Sequence, residues 1–340
     1  MKVGVIGAGA WGTALGTIVA RGDTDVVLWS YDGAKKEFDG VASPDNLYVT
    51  KNMADMGECD TWLVVTPSAF FRETVRNAAQ YYSGQPIVIC TKGAEPTTGE
   101  FMSEIMATEL PTARDLAVLS GPQFAAEVAR GVPTGSTLAT RSIIALQTGM
   151  EIFNQLYINP TDDIIGTEIC GVGKNAVALI TGYNSVAATG ENERALIFTR
   201  AWGEVAKIGI AMGAKTETFL DLCGIGDLFL SATSATSRNF AGGMAIANGD
   251  AVVGTVEGIF ALSGLIRRAA ALDVETPTLT QMQEKMGLKL KTPANAGVFY
   301  AIKQLLFNCC CCVTVELPDL FACALDQWTF FTIRNGRNTF

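Results

Sequence analysis

Lys174 lies in GVGKNAVALITG (Gly171–Gly182), where Ala176–Ile180 is wholly apolar and no charge follows the lysine until Glu191. A stretch apolar all round belongs to a buried helix. Gly171 and Gly173 loosen the chain just before it, which places Lys174 at the start of that helix. There, repulsion by the helix N-terminus and desolvation both favour the neutral amine and lower its pKa. A lysine of lowered pKa is a proton-transfer catalyst. The plainer alternative is a lysine that snorkels to solvent beside a core helix.

Asp227, in GIGDL (Gly224–Leu228), sits between small and apolar residues, which suits a tight, partly buried turn. A buried carboxylate needs a partner, and Lys174 is the obvious one. Ser237-Arg238-Asn239 offers hydroxyl, guanidinium and amide donors together, a grip suited to a phosphate. It is equally a polar turn capping the next helix. The chain has no histidine, so acid–base chemistry must use Lys, Asp, Glu, Tyr or Cys. That excludes Ser-His-Asp hydrolases and dehydrogenases with a catalytic histidine.

These residues need a scaffold, and the N-terminus supplies its first unit. Lys2–Ile6 reads as a buried strand running into Gly7-Ala8-Gly9-Ala10-Trp11-Gly12, a G-x-G-x-x-G, followed by the apolar Thr13–Ala20. Strand, glycine turn, helix is the context a dinucleotide fingerprint requires. Gly7 makes the turn, Gly9 admits a pyrophosphate, Gly12 lets helix and strand pack, and the helix N-terminus faces the phosphates. Strand Asp25–Ser30 ends at Ser30, Tyr31 and Asp32, where the adenosine ribose is contacted. Asp32 favours NAD, while Lys35 and Lys36 leave NADP open.

Strands Thr61–Thr66, Pro86–Thr91, Leu116–Ser120 and 136–140 alternate with helices over 68–82, 99–109, 123–130 and 142–156. Such alternation predicts a parallel sheet with helices on both faces. Ligands bind beyond the carboxyl ends of such strands, so Lys92 and Gly121, both at strand ends, face the cleft. After about Gly166 the strand pattern stops and a mainly helical region follows, including a helix over 195–212 closed by Gly213. The expected architecture is α/β: an N-terminal Rossmann-type doubly wound parallel sheet (1–166) and a C-terminal, mainly helical substrate domain (167–340).

The 340 residues carry a net charge of −9, which argues against nucleic acid as a partner. The nine cysteines include Cys309–Cys312 in a row. An odd count in a large chain points to reduced thiols in a cytoplasm, and four adjacent cysteines lack zinc-site spacing, so no metal site is expected. The glycine-interrupted run Val3–Ala20 is a poor signal peptide, and no membrane span is expected.

In combination these segments resemble the bacterial-type glycerol-3-phosphate dehydrogenases. The resemblance rests on GAGAWGTALG (Gly7–Gly16), VVTPS (Val64–Ser68), TKG (Thr91–Gly93) and LSGPQFAAEVARGVPT (Leu119–Thr134). It continues through GVGKNAVAL (Gly171–Leu179), LIFTRAWGEVAKIGIAMGA (Leu196–Ala214), CGIGDLFLSATSATSRN (Cys223–Asn239) and VEG (Val256–Gly258). It implies reversible hydride transfer between NAD(P)H and dihydroxyacetone phosphate, giving sn-glycerol 3-phosphate for phospholipid synthesis. By the same resemblance Lys174 is the acid–base lysine and Asp227 the carboxylate beside it. Lys92, Gly121 and Gln123 line the substrate site. Ser237, Arg238 and Asn239 hold the phosphate, with Arg238 also near the cofactor. Ala10, Trp11, Ala125 and Glu257 match cofactor-contacting positions, and with Gly7, Gly9 and Gly12 of the glycine turn, Tyr31 at the strand end and Lys92 they make up the expected cofactor site. A homodimer is implied.

The chain departs from the family in three places. Gln123 stands where Ser or Thr is usual, Ser30-Tyr31 lacks the basic residue of NADP-using members, and the sequence beyond about Leu305 is foreign to the family. Two other readings are a related two-domain reductase of a hydroxy acid or keto acid, and a non-catalytic dinucleotide-responsive regulator. The second predicts loss of a catalytic position, yet Lys92, Lys174 and Asp227 are all present.

Overall fold

The computed structural model describes residues 1–288, apart from 23, 34–36 and 39. Lys35, Lys36, Cys309–Cys312, Cys323 and the divergent tail lie outside the described residues. The apolar run at the N-terminus forms β1 (Lys2–Ile6), and α1 (Ala10–Ala20) follows the glycine turn. The chain continues through β2 (Asp25–Trp29), a small antiparallel pair β3 (Glu37–Phe38) and β4 (Val41–Ala42), and β5 (Leu47–Thr50). Next come β6 (Thr61–Val64), α2 (Ser68–Ala79), β7 (Ile87–Ile89), α3 (Met102–Glu109), β8 (Leu116–Ser120) and α4 (Ala125–Arg130). The sheet closes with β9 (Gly135–Thr140), α5 (Ile143–Ile152) and β10 (Tyr157–Thr161).

Eight strands form one sheet in the order β10-β9-β8-β7-β6-β1-β2-β5. Here β1 pairs in parallel with β2 on one side and β6 on the other. That reversal of strand order beside β1 opens a crevice at the strand ends, where such sheets bind ligands. The sheet is not wholly parallel as expected. β8 and β9 are antiparallel, and β10 then runs parallel to β9. The connection from Gly121 to Thr134 carries one short helix, α4, and β9 then runs back antiparallel beside β8. One face of the sheet packs Val3, Val5 and Leu63 against Leu15, Val19 and Val128; the other packs Ile6, Trp62 and Ile89 against Phe71, Val75 and Ile105. The fold is α/β, with a helical half following the sheet.

That half is built around α6 (Ile164–Ala187), which packs against α7 (Glu191–Ala211), α8 (Asp227–Thr233), α9 (Arg238–Asn248) and α10 (Glu257–Ala271). α11 (Pro277–Lys285) covers α7. At 24 residues α6 is long and apolar enough to cross a bilayer, but 89% of its apolar window is buried inside the protein. It is the central core helix.

The start of α6 corrects one expectation. The helix begins at Ile164, where Asp163 caps it by accepting from Gly166 N at 2.9 Å, well before Lys174. Lys174 is therefore mid-helix, and helix-terminal repulsion does not act on it, since that effect fades within the first turn. Gly171 and Gly173 lie within the helix and do not break it, and at Gly173 packing leaves no room for a side chain. A Cβ on Gly173 would lie 2.3 Å from Val205 Cγ1, and one on Gly171 would lie 3.4 Å from Ser120 Oγ.

Candidate active site

Strand β7 ends at Ile89, three residues before Lys92, and the Gly93 that follows Lys92 takes a φ of +141°, which glycine alone adopts freely. The turn sends the Lys92 side chain across the sheet end. Its Nζ donates to Gly121 O at 2.7 Å and to Asp227 Oδ2 at 2.9 Å. From α6, Lys174 Nζ donates to Asp227 Oδ1 at 2.7 Å and to Ser231 Oγ at 3.1 Å. Asp227 is completely buried at the first turn of α8, behind a π turn over Leu222–Gly226. It is more enclosed than the partly buried turn expected of it. A buried carboxylate is stable only when paired, and here each oxygen has its own ammonium. Two cations on one anion leave the centre with one net positive charge. Burial lowers the pKa of Lys92 and the charge of Lys174 lowers it further, while Asp227 opposes both.

The glycine turn reaches the same place. Trp11, at the start of α1, donates its indole N–H to Cys90 O at 3.2 Å, and its ring centroid lies 5.7 Å from Lys92 Nζ. Gly7 has a φ of +120°, and a Cβ on Gly12 would lie 1.8 Å from Gly7 O. By contrast, a Cβ on Gly9 would meet nothing within 4 Å. Two glycines are thus demanded by the fold, and the third faces open space at a helix N-terminus. That arrangement fits a pyrophosphate. Ala10 begins α1 in an exposed position, and Ala125 begins α4, which packs against α1. Tyr31 is 77% exposed just beyond β2, and beside it Ser30 Oγ donates to Asp32 Oδ1 at 3.1 Å.

At Asn175, the residue after Lys174, the first turns of α9 and α10 converge. Ser237 caps α9, its hydroxyl accepting from Phe240 N at 3.4 Å, so the capping role is met in the structure. Arg238 is exposed at the first position of α9. Asn239 donates to Asn175 Oδ1 at 2.8 Å and accepts from Gly258 N at 2.8 Å. Asn175 in turn donates to Glu257 Oε2 at 3.2 Å. Burial raises the Glu257 pKa, with the charges of Arg238, Lys174 and Lys92 acting against the shift.

The structure therefore brings together Lys92, Gly121, Lys174 and Asp227, with Trp11 beside them and Asn239 and Glu257 linked through Asn175. Asn175 and Ser231 escaped the sequence reading. Spacing could have found Ser231, one helical turn after Asp227 on α8. The Gln123 side chain makes no hydrogen bond, and its amide nitrogen and oxygen are both buried.

Residues 2–144 match the model of the NAD-dependent glycerol-3-phosphate dehydrogenase N-terminus, and residues 163–292 match that of its C-terminus. The glycerol-3-phosphate dehydrogenase of Parvibaculum lavamentivorans, of the NAD(P)+ type, is 35% identical over 300 residues, spanning 81% of this chain and 89% of that protein. Its namesake in Paramagnetospirillum magneticum is 39% identical over 253 residues, spanning 70% and 92%. The crystal structure of the Coxiella burnetii glycerol-3-phosphate dehydrogenase superposes with a TM-score of 0.77 at 29% identity, covering 90% of this chain and 98% of that one. A Ralstonia eutropha ketopantoate reductase, at 14% identity and a TM-score of 0.56, shares the fold alone. The chain belongs to the NAD-dependent glycerol-3-phosphate dehydrogenase family, and it is an oxidoreductase that uses NAD or NADP.

Proposed function

We propose that this chain reduces dihydroxyacetone phosphate to sn-glycerol 3-phosphate, and catalyses the reverse, with Lys174 as the proton donor and acceptor. The observation that carries this reading is the pairing of Lys92 and Lys174 with the two oxygens of one buried carboxylate. The nicotinamide, when bound, supplies the hydride to the carbonyl carbon. Lys174, as ammonium, donates its proton to the oxygen that becomes an alkoxide, and in reverse the neutral amine takes the proton from the hydroxyl. Asp227 and Ser231 aim the Lys174 amine. Lys92 holds the Gly121 carbonyl and stabilises negative charge through the net cation of the centre. Arg238 and Asn239, with the donors at the start of α9, receive the phosphate. Gly7, Gly9, Ala10, Trp11, Gly12, Tyr31, Ala125 and Glu257 face the dinucleotide.

The division of labour follows the sequence, with 1–166 binding the dinucleotide and 167–340 holding the substrate. We place the protein in the cytoplasm as a homodimer, making the backbone of glycerophospholipids. Mixing purified protein with dihydroxyacetone phosphate and either NADH or NADPH, and following loss of nicotinamide absorbance, tests the reading. Turnover is expected, and the two kcat/KM values rank the cofactors. Protein that binds cofactor yet turns over keto acids in place of dihydroxyacetone phosphate would refute it.

A further inference from the structure

The glycine turn, the exit of β2 and the end of β5 lie side by side. Gly7 N donates to Trp29 O at 3.2 Å, joining the glycine turn to the last residue of β2. Ser30 N donates to Thr50 O at 2.9 Å, joining the next residue to the end of β5. Trp29 Nε1 donates to Lys51 O at 3.2 Å, so the residue that follows β5 is fixed beside the exit of β2. From there the Lys51 side chain reaches Gly33. A Cβ on Gly33 would lie 3.0 Å from Lys51 Cε and 3.6 Å from its Nζ. Lys51 is exposed and, among the described residues, makes no ion pair.

A dinucleotide with its pyrophosphate on the glycine turn places its adenosine ribose just beyond β2. Ser30, Tyr31, Asp32 and Gly33 stand there and offer no cation. A carboxylate at this point suits the ribose hydroxyls of NAD, and its charge opposes a phosphate on the same ribose. The ammonium of Lys51 brings the opposite charge to the same turn, from the neighbouring strand. We propose that Lys51 pairs with the 2′-phosphate of NADP and is the residue through which this chain accepts that cofactor. A lysine ammonium is a point charge with three donors, which suits phosphate oxygens. NAD carries only a hydroxyl at that position, so Lys51 meets no charge when NAD is bound. The inference rests on the proposed seating of the dinucleotide along the glycine turn and Tyr31.

The test measures dissociation constants for NADH and NADPH by quenching of protein fluorescence, in wild type, Lys51→Gln and Lys51→Arg. In Lys51→Gln, NADPH is expected to bind at least about tenfold more weakly, while NADH affinity holds. Lys51→Arg keeps the charge and is expected to keep NADPH binding. Added salt is expected to weaken NADPH binding more than NADH binding in the wild type, and that difference should shrink in Lys51→Gln. Unchanged NADPH affinity in folded Lys51→Gln would overturn the inference, and so would an equal loss for both cofactors. Wild-type protein that binds NADH but not NADPH would overturn it with no variant needed. Folded wild-type protein that binds neither would instead refute the seating of the dinucleotide, and this inference with it.

Discussion

Lys92 and Lys174 come from different halves of the chain and share Asp227 as counter-ion, at 2.9 and 2.7 Å. The first follows a strand of the sheet; the second lies in the middle of the core helix. The carboxylate that joins them is fully buried. The shared carboxylate therefore ties the end of the sheet to the helical half.

Asp227→Asn should leave two enclosed ammonium groups without their counter-ion. Removing one member of a buried ionic cluster costs about 3–5 kcal/mol. Chemical denaturation should show a loss of that order, and turnover should fall at least about a hundredfold. A variant as stable and active as wild type would mean that the carboxylate neither orients Lys174 nor balances the lysines.

Lys92 has a lowered pKa because burial outweighs its attraction to Asp227. The sign follows from linkage. The unfolded chain holds this proton more tightly, so between the lowered value and 10.5 stability rises with pH as the cost of the buried charge is relieved. Lys92→Met should flatten that rise. Urea midpoints measured across the alkaline range in both proteins check it, and parallel curves would contradict the assignment.

Glu168, on α6, accepts from the backbone N–H of Ser103 at 2.8 Å and from its hydroxyl, tying α6 to the first turn of α3. Burial pushes its carboxyl up to about 7. An acid with a raised folded pKa favours the native state at low pH, and that contribution is lost as pH climbs from about 4.5 through 7. The loss is on the order of 3 kcal/mol. Glu168→Gln, neutral throughout, should remove this pH dependence. Identical slopes of stability against pH for the two proteins would show that Glu168 does not titrate there.

Gly9 and Gly12 should respond in opposite ways to substitution. Gly9→Val places its side chain in open space, so the protein should fold normally but bind NADH at least about tenfold more weakly. Gly12→Ala drives a methyl into the Gly7 carbonyl, so stability itself should fall. Thermal melts and quenching of protein fluorescence by NADH separate the two. A Gly9→Val variant of unchanged affinity would remove this turn from the cofactor site.

Much of the site was legible because it obeys local rules. A glycine turn after an apolar strand announces a phosphate cradle, and a buried aspartate demands a cation. Packing hid the rest. Gly171 and Gly173 resemble helix breakers in a linear reading, yet both lie inside α6, and Gly173 is a point of close approach to Val205. Strand β10 carries Pro160, tolerable only because the strand lies at the sheet edge. The direction of β9 depends on its pairing partner, which no periodicity records. Asn175 carries no signal beyond its place next to Lys174; its role emerges only when α9 and α10 meet around it.

The central claim is that Lys174 moves the proton. The most direct test is the turnover of dihydroxyacetone phosphate with NADH by Lys174→Met, with NADH affinity measured on the same preparation. General acid catalysis contributes about 10²–10⁴-fold, so turnover should fall by that factor or more while NADH affinity stays within a few-fold of wild type. Turnover within a few-fold of wild type, in protein that binds NADH normally, would contradict the account.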